Sequence, residues 1–243
     1  MAKASRKTPI WKAIADALRS ELAEGRYTCG DKLPSEAALS ARFGVNRHTV
    51  RHGVSALIDE GLLRSRRGAG TFVAATPADY PIGRRVRFHE NLIAAGRRPE
   101  KRVLLIEERA ATQGEAGALR IGVGALVCAY HGVSLADGQA LALFESLFPL
   151  ERVPEVTKTL SQTSSVSQAL ALAGVEDFTR HSTRVTATRA SATQALHLDL
   201  NEGDPVLRTT GVNVDPSQTP IEYGRSWFAG DRVTLMLGDE EVS

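Results

Sequence analysis

Between residues 36 and 58 two helical stretches are separated by almost nothing, and that narrow gap constrains this chain more than any other feature. Ala38, Leu39 and Phe43 share a face of the first stretch, while Val50, Val54, Leu57 and Ile58 follow helical spacing in the second. Gly44 ends the first, because a residue without a Cβ enters left-handed backbone freely; Asn46, two positions on, has the short polar side chain that caps a helix. Two short helices joined by so tight a glycine turn form a helix-turn-helix. Upstream, Ile10, Ile14, Leu18 and Leu22 recur every four residues beside Trp11 and Ala15, which predicts a helix over about residues 9 to 24, stopped at Gly25. After a loop from Tyr27 to Lys32, Leu33-Pro34-Ser35-Glu36 reads as an extended residue before proline and then a helix start, with Ser35 at the cap.

The solvent face of the helix that begins at Asn46 points to nucleic acid. Arg47, His48, Arg51 and His52 lie largely off the Val50/Val54/Leu57 face, and within that helix no acid follows until Asp59. In a helix-turn-helix the first residues of the second helix reach base edges in the major groove, where Arg forks onto guanine O6 and N7. Arg47 is the candidate for base readout, with Ser35, Asn46, His48, Thr49 and Arg51 as base or phosphate contacts. His48 and His52 also stand at a spacing that zinc uses, but the hydrolase motif needs Glu after the first His and Thr49 is there, so no metal is expected. Beyond Gly61, two strand-like pieces flank a basic turn, Arg66-Arg67-Gly68-Ala69-Gly70. Gly68 and Gly70 permit a tight hairpin with close backbone approach to phosphate, and Arg66 and Arg67 suit a minor groove, so this hairpin reads as a wing.

Charge divides the chain at the same place. Residues 1–75 carry 13 Lys and Arg against 7 Asp and Glu, a net +6, while the remainder carries 17 against 21, a net −4. A polyanion is drawn to the first part by counterion release and repelled by the second. With 42% hydrophobic and 24% charged residues, 243 positions suffice for two globular domains with separate cores. No apolar run is long enough for a membrane helix, and the N-terminal residues lack the apolar core of an export signal, so a soluble cytoplasmic protein is expected. Cys29 and Cys128, far apart and without metal-ligand spacing, fit a reducing compartment and are expected as small core residues.

These residues, in this order, resemble the GntR family of bacterial regulators. Pro9-Ile10-Trp11 through Gly25, Gly30-Asp31-Lys32-Leu33-Pro34-Ser35-Glu36, Val45-Asn46-Arg47-His48-Thr49-Val50-Arg51, and Glu60-Gly61-Leu62 through Gly70-Thr71-Phe72-Val73 are similar to its DNA-binding domain end to end. Many members carry Arg directly after Pro-Ser-Glu; here Ala37 stands there, which removes one DNA contact that the resemblance implies.

A proline-marked stretch, Ala74-Ala75-Thr76-Pro77-Ala78-Asp79-Tyr80-Pro81, has no periodicity and reads as the linker, assigned to residues 76–84 between domains at 1–75 and 85–243. Beyond it lies an internal repeat. Ala110 to Phe148 holds a helical pattern ending near Ile121, a strand to Leu135, an Asp137-Gly138 turn and a strand ending Glu145-Ser146-Leu147-Phe148. Ala190 to Phe228 holds a helical pattern ending near Leu200, a strand from Pro205 to Val214, an Asp215-Pro216 turn and a strand ending Arg225-Ser226-Trp227-Phe228. With strands near 102 to 109 and 178 to 189 and helices near 151 to 173, the expected fold class is α+β: an N-terminal winged helix-turn-helix and a C-terminal antiparallel sheet flanked by helices. A pocket between two related halves is a natural ligand site.

This second part is similar to the effector domain (UTRA) of the HutC branch of GntR regulators, whose fold resembles chorismate lyase. Through Arg87-Phe88-His89-Glu90-Asn91-Leu92 with Gly96, and Pro220-Ile221-Glu222-Tyr223-Gly224-Arg225 running to Val233, it looks most like the phosphonate-metabolism regulators of that branch. In relatives that sense sugar phosphates an arginine pair precedes the Asp-Gly turn; Gly132 and Ser134 stand there in this chain. An anion pocket needs fixed donors, and Arg offers a fork matched to phosphate or phosphonate oxygens. Arg87, Phe88 and His89 fall on the segment that closes over the effector in the resembling family, with Asn91 in support. Ser164 or Ser165, capping a helix from Val166, would turn free backbone N–H groups toward an anion. Glu145, Glu222, Tyr223 and Arg225, near matching ends of the two hairpins, are placed to orient an amine or hydroxyl.

The reading is a homodimeric repressor, paired through its C-terminal domains on a palindromic operator of double-stranded DNA and released by a small anionic effector, a phosphonate, phosphate or similar. A histidine-degradation intermediate or a sugar phosphate is the alternative effector. A lyase-like enzyme is the competing class, but no Ser-His-Asp, metal-ligand or phosphate-loop spacing is present, so catalysis is not expected, nor any cofactor. An architectural DNA binder would have little use for a separate domain of this size.

Overall fold

The computed structural model describes residues 9–66, 68–74, 77–83, 92–93, 96–163 and 165–237, and these form two compact units divided between Thr76 and Pro77.

The first unit contains α1 (Ile10–Ala23), α2 (Glu36–Phe43), α3 (Arg47–Asp59), β1 (Leu63–Arg66) and β2 (Gly70–Val73). Its caps are those that the local chemistry dictates. Ser35 Oγ accepts from the Ala38 N–H at 3.2 Å, Gly44 ends α2 in the left-handed region at φ 65°, and Asn46 Oδ1 accepts from the Thr49 N–H at 2.8 Å. Ile14, Leu18, Leu39, Val50, Leu57 and Leu63 are buried together, and each such side chain contributes about 1.5–3 kcal/mol on leaving water. Gly53 lets α1 and α3 meet closely, since a Cβ there would lie 2.8 Å from the Trp11 carbonyl oxygen. β1 and β2 form the expected hairpin, Arg66 opposite Gly70. The loop before α2 joins it: Leu33 N–H donates to Thr71 O at 2.8 Å and Val73 N–H to Asp31 O at 2.9 Å. Cys29, expected in a core, is exposed on this loop, whereas Cys128 is buried.

The second unit is α+β, as the repeat predicts. It holds β3 (Ala78–Pro81), β4 (Pro99–Ala110), α4 (Gln113–Leu119), β5 (Leu126–Ala136), β6 (Gln139–Pro149), α5 (Val156–Gln162), α6 (Val166–Leu172), β7 (Thr179–Arg189), α7 (Ala192–Leu198), β8 (Pro205–Val214), β9 (Pro220–Ala229) and β10 (Val233–Met236). Six strands make one antiparallel sheet in the order β4-β5-β6-β9-β8-β7, so each half of the repeat supplies three strands and the two meet at the β6/β9 pair. The halves share small devices. α4 and α7 each open on a capping box, Thr112 with Glu115 and Ser191 with Gln194, and each closes on a left-handed residue, Arg120 and Asp199. Arg152 donates to the carbonyls of Leu119, Arg120 and Pro220; Arg232, only 1% exposed, donates to those of Leu198, Asp199 and Ala140. Each guanidinium thus satisfies carbonyls at the C-terminus of its own half's helix and reaches the first or second residue of the other half's inner strand, where positive charge also suits the helix dipole.

Residues 78–81 correct the expected linker. They form a strand, β3, pairing in parallel with β10, Tyr80 opposite Leu235, and Ala78, Tyr80 and Phe228 share a core cluster. Prolines at positions 77 and 81 disguise it, yet alternate residues Ala78 and Tyr80 are buried while Asp79 is exposed, the period of a half-buried strand.

Candidate DNA-binding face and effector pocket

On α3 the expected contacts divide into free and committed side chains. Arg47 and His48 are exposed in its first turn, which holds no acidic residue. Asn46 spends its carbonyl on the helix end, accepting also from Thr49 Oγ1 at 2.9 Å, so the part of its side chain not spent on the cap is the amide N–H group. Arg51 is not unneutralised as expected. Its Nε and Nη2 donate to the two carboxylate oxygens of Glu36 at 2.9 and 2.7 Å, and the hydrogen bond from Arg51 holds the Glu36 carboxyl below its ordinary pKa. The acid comes from the neighbouring helix, fifteen residues back, so the charge pattern of α3 alone could not reveal it. His52 stacks on Trp11, ring centroids 4.2 Å apart, which draws it toward α1; among the described residues no group of three His, Cys, Asp or Glu could hold a metal.

Gly68 and Gly70 take positive φ, 74° and 113°, as a tight wing tip requires. Arg67 and the side chain of Arg66 lie outside the described residues. Sequence reasoning missed Lys32, left in a loop. It bridges to Phe72 of β2, and its Cε stands 2.9 Å from where a Gly70 Cβ would be, so a basic side chain lies across the wing. Only the pairing register brings it there.

The effector candidates separate onto the two faces of the sheet, because adjacent strand residues point opposite ways. Glu145, Tyr223 and Arg225 face α4. Arg225 Nη2 lies 2.6 Å from Glu145 and 3.2 Å from Glu115, and Arg109 makes a two-pronged pair with Glu115 at 2.8 and 2.9 Å. His131 Nε2 stands 3.5 Å from Glu145. Hydrogen bonding by Arg109, stronger here than the opposing effect of burial, pulls the Glu115 carboxyl down to about 2. Both arginines and both acids are consumed by one another, across the seam between the repeat halves.

Glu222 points to the opposite face, so it does not converge with Tyr223 and Arg225 as expected. There Tyr80, Ile82, Ser146, Arg180, Thr183, Thr209, Glu222, Gly224, Ser226 and Phe228 line a cavity with about 430 Å³ of empty space, part of it continuous with solvent. The hollow has a register cause: Gly211 on β8 lies opposite Gly224 on β9, so two neighbouring positions carry no side chain. Arg180 rests on Gly211, where a Cβ would collide with its guanidinium. A polar chain crosses the floor. Arg180 Nε donates to Asn213 Oδ1 at 2.6 Å, Asn213 Nδ2 to Glu222 Oε2 at 2.6 Å, and Ser146 Oγ to Glu222 Oε1 at 2.6 Å. Arg180 and Asn213 were not among the sequence candidates; Arg180 sits on an edge strand that reads as solvated surface. Ser165 caps α6, accepting from Gln168 N–H at 3.3 Å, and is not among the cavity's lining residues. Arg87, Phe88, His89, Asn91 and Ser164 lie outside the described residues.

A winged helix-turn-helix with a basic reading helix, followed by a sheet domain that encloses a polar cavity, defines a DNA-binding transcription regulator with a ligand-binding domain. Comparison with known proteins agrees in both parts. Residues 11–73 match the bacterial regulatory proteins of the gntR family and residues 94–234 match the UTRA domain. An uncharacterised HTH-type transcriptional regulator of Rhizobium meliloti (strain 1021) is 38% identical over 232 residues, 94% of each protein. The "Probable transcriptional regulator PhnF" of Escherichia coli (strain K12) is 32% identical, covering 93% of this chain and 94% of its own length. The crystal structure of PhnF from Mycobacterium smegmatis matches with a TM-score of 0.66 at 26% identity, over 94% of this chain and 99% of that one. The chain therefore belongs to the gntR family, with a UTRA domain of the HutC type. No helix among the described residues is long and apolar enough to cross a membrane.

Proposed function

We propose that the protein is a cytoplasmic, homodimeric repressor of genes for phosphonate uptake or metabolism, without enzymatic activity, and that a small anionic effector in the UTRA cavity releases it from a palindromic operator. The observation that carries the coupling is the position of Tyr80 and Ile82. Both line the cavity, and they stand on and just after β3, the first strand beyond the boundary with the DNA-binding unit. A ligand that presses on β3 acts on the segment that leads directly to α3 and its wing. Arg47 and His48 read bases, Ser35, Thr49 and the wing hold phosphates, and two copies space two α3 helices one helical turn apart. β4 offers a second copy an open edge bearing exposed Val103, Leu104 and Leu105. The likeness to phosphonate-metabolism regulators, with Gly132 and Ser134 in place of the arginine pair, favours a phosphonate over a sugar phosphate.

The test is a fluorescence-anisotropy titration of the full chain on a duplex that it selects from a random library. Phosphonates should release the wild type and leave Gly224→Leu bound, because a leucine there occupies the cavity. Release of both proteins, or of neither, would contradict this assignment.

A further inference from the structure

Resting on that effector reading, we infer that the cavity takes a short zwitterion, a molecule with an anionic head for Arg180 and, a few bonds away, a primary ammonium for Glu222. The two side chains carry opposite charges in one cavity and yet do not touch. Asn213 stands between them, accepting from Arg180 Nε and donating to Glu222 Oε2, both at 2.6 Å. An amide in this position holds an arginine and a carboxylate apart, where direct contact would cancel both charges. Arg180 has no carboxylate partner among the described residues; besides Asn213 it reaches only the hydroxyl of Thr183, at 3.4 Å.

Glu222 is 8% exposed and receives one hydrogen bond on each oxygen, both from neutral groups, Ser146 and Asn213. Neutral donors do not compensate the charge of a buried carboxylate, and they leave lone pairs unused. Lys101 is a rival cation that Glu222 attracts through space. Its ammonium sits over the rings of Phe144 and Tyr130, 5.2 and 5.7 Å from their centroids, and is not among the cavity's lining residues. Burial lowers the Lys101 pKa to about 8 in spite of Glu222, so the attraction between the two is the smaller effect. Among the described residues the cavity's own charges are then one cation and one anion, set apart by the width of a single amide. A ligand with the same two charges in reverse order satisfies both, whereas a simple anion leaves Glu222 buried without a cation. Ser226, Thr209 and Thr183 supply hydroxyls around the head group, and Tyr80, Ile82 and Phe228 supply the apolar wall.

Calorimetry on the full-length protein with matched pairs tests this: 2-aminoethylphosphonate against ethylphosphonate, taurine against ethanesulfonate, and β-alanine against propionate. The amine-bearing member of at least one pair should bind tenfold or more tightly than its partner, and the best head group identifies the anion. Glu222→Gln should erase that advantage while the amine-free anion binds at least as tightly as before, since a negative charge is removed, the Gln oxygen still accepts from Asn213 and its amide can donate to Ser146 Oγ. Arg180→Gln should weaken both members of the pair. Equal affinity within every pair, with Gly224→Leu abolishing binding of both members, would overturn the zwitterion and leave the cavity as an anion site. Binding that survives Gly224→Leu, or no binding by any of the six, would overturn the cavity assignment as well. Operator binding by each variant confirms that it is folded.

Discussion

The contact between Arg51 and Glu36 makes a prediction that the charge of α3 alone would reverse. Glu36 holds the guanidinium with two hydrogen bonds of 2.9 and 2.7 Å, and side-chain exposures of 62% for Arg51 and 36% for Glu36 place the pair in solvent, between α2 and the proposed reading helix α3. Replacing Glu36 with Gln removes one negative charge from that surface and frees Arg51 to reach a phosphate. Exposed pairs contribute little to stability, so the melting of the first unit should change only slightly. DNA binding should change more. One added phosphate contact steepens the dependence of log affinity on log salt by about 0.9, so the variant's advantage should shrink about 3.5-fold between roughly 50 and 200 mM salt. Anisotropy of one labelled duplex across that salt series reads both slope and affinity. A slope equal to that of the wild type, or weaker binding at low salt, would show that Arg51 stays on residue 36 even when that residue is neutral, or that Glu36 itself contacts DNA.

Three further outcomes follow from the same geometry. Arg47→Ala should cost about 1–3 kcal/mol of specific affinity and relax base preference at one position per half-site, checked by competition with single-base operator variants. Arg232→Met should destabilise the second unit more than Arg152→Met, measured by thermal melting, because Arg232 satisfies three carbonyls while 1% exposed and Arg152 is 21% exposed at its side chain. Glu115, held at about 2 against an ordinary 4.5, is a depressed carboxyl, so its contribution is complete above about pH 4.5 and is lost as pH falls toward 2. The acid limb of wild-type stability should therefore be steeper than that of Glu115→Gln, read from melting temperatures over that range.

What could be read without the structure was whatever is encoded locally. Gly44, Asn46 and the Val50/Val54/Leu57 face are short-range signals, and they place α2 and α3 to within a residue. The repeat likewise emerged because caps, turns and alternation lie within about forty residues of each other. Pairing across distance was not legible. The Arg51–Glu36 contact joins two helices, Lys32 reaches the wing through strand register, and β3 hides between prolines until β10 provides its partner. Neighbours in sequence misled most at Glu222 and Tyr223, which seemed to form one group and are sent to opposite faces of the sheet by the pleat. The cavity itself depends on Gly211 meeting Gly224 across two strands, a coincidence of register that no single segment displays.

The proposed coupling is that the occupant of the UTRA cavity and the operator weaken each other's hold on the protein. The affinity of the full chain for its effector, measured by calorimetry with and without saturating operator duplex, reads it directly. Reciprocity requires the effector to bind more weakly on the operator complex, by the same factor by which the effector weakens operator binding. An effector affinity identical in the two experiments would contradict it.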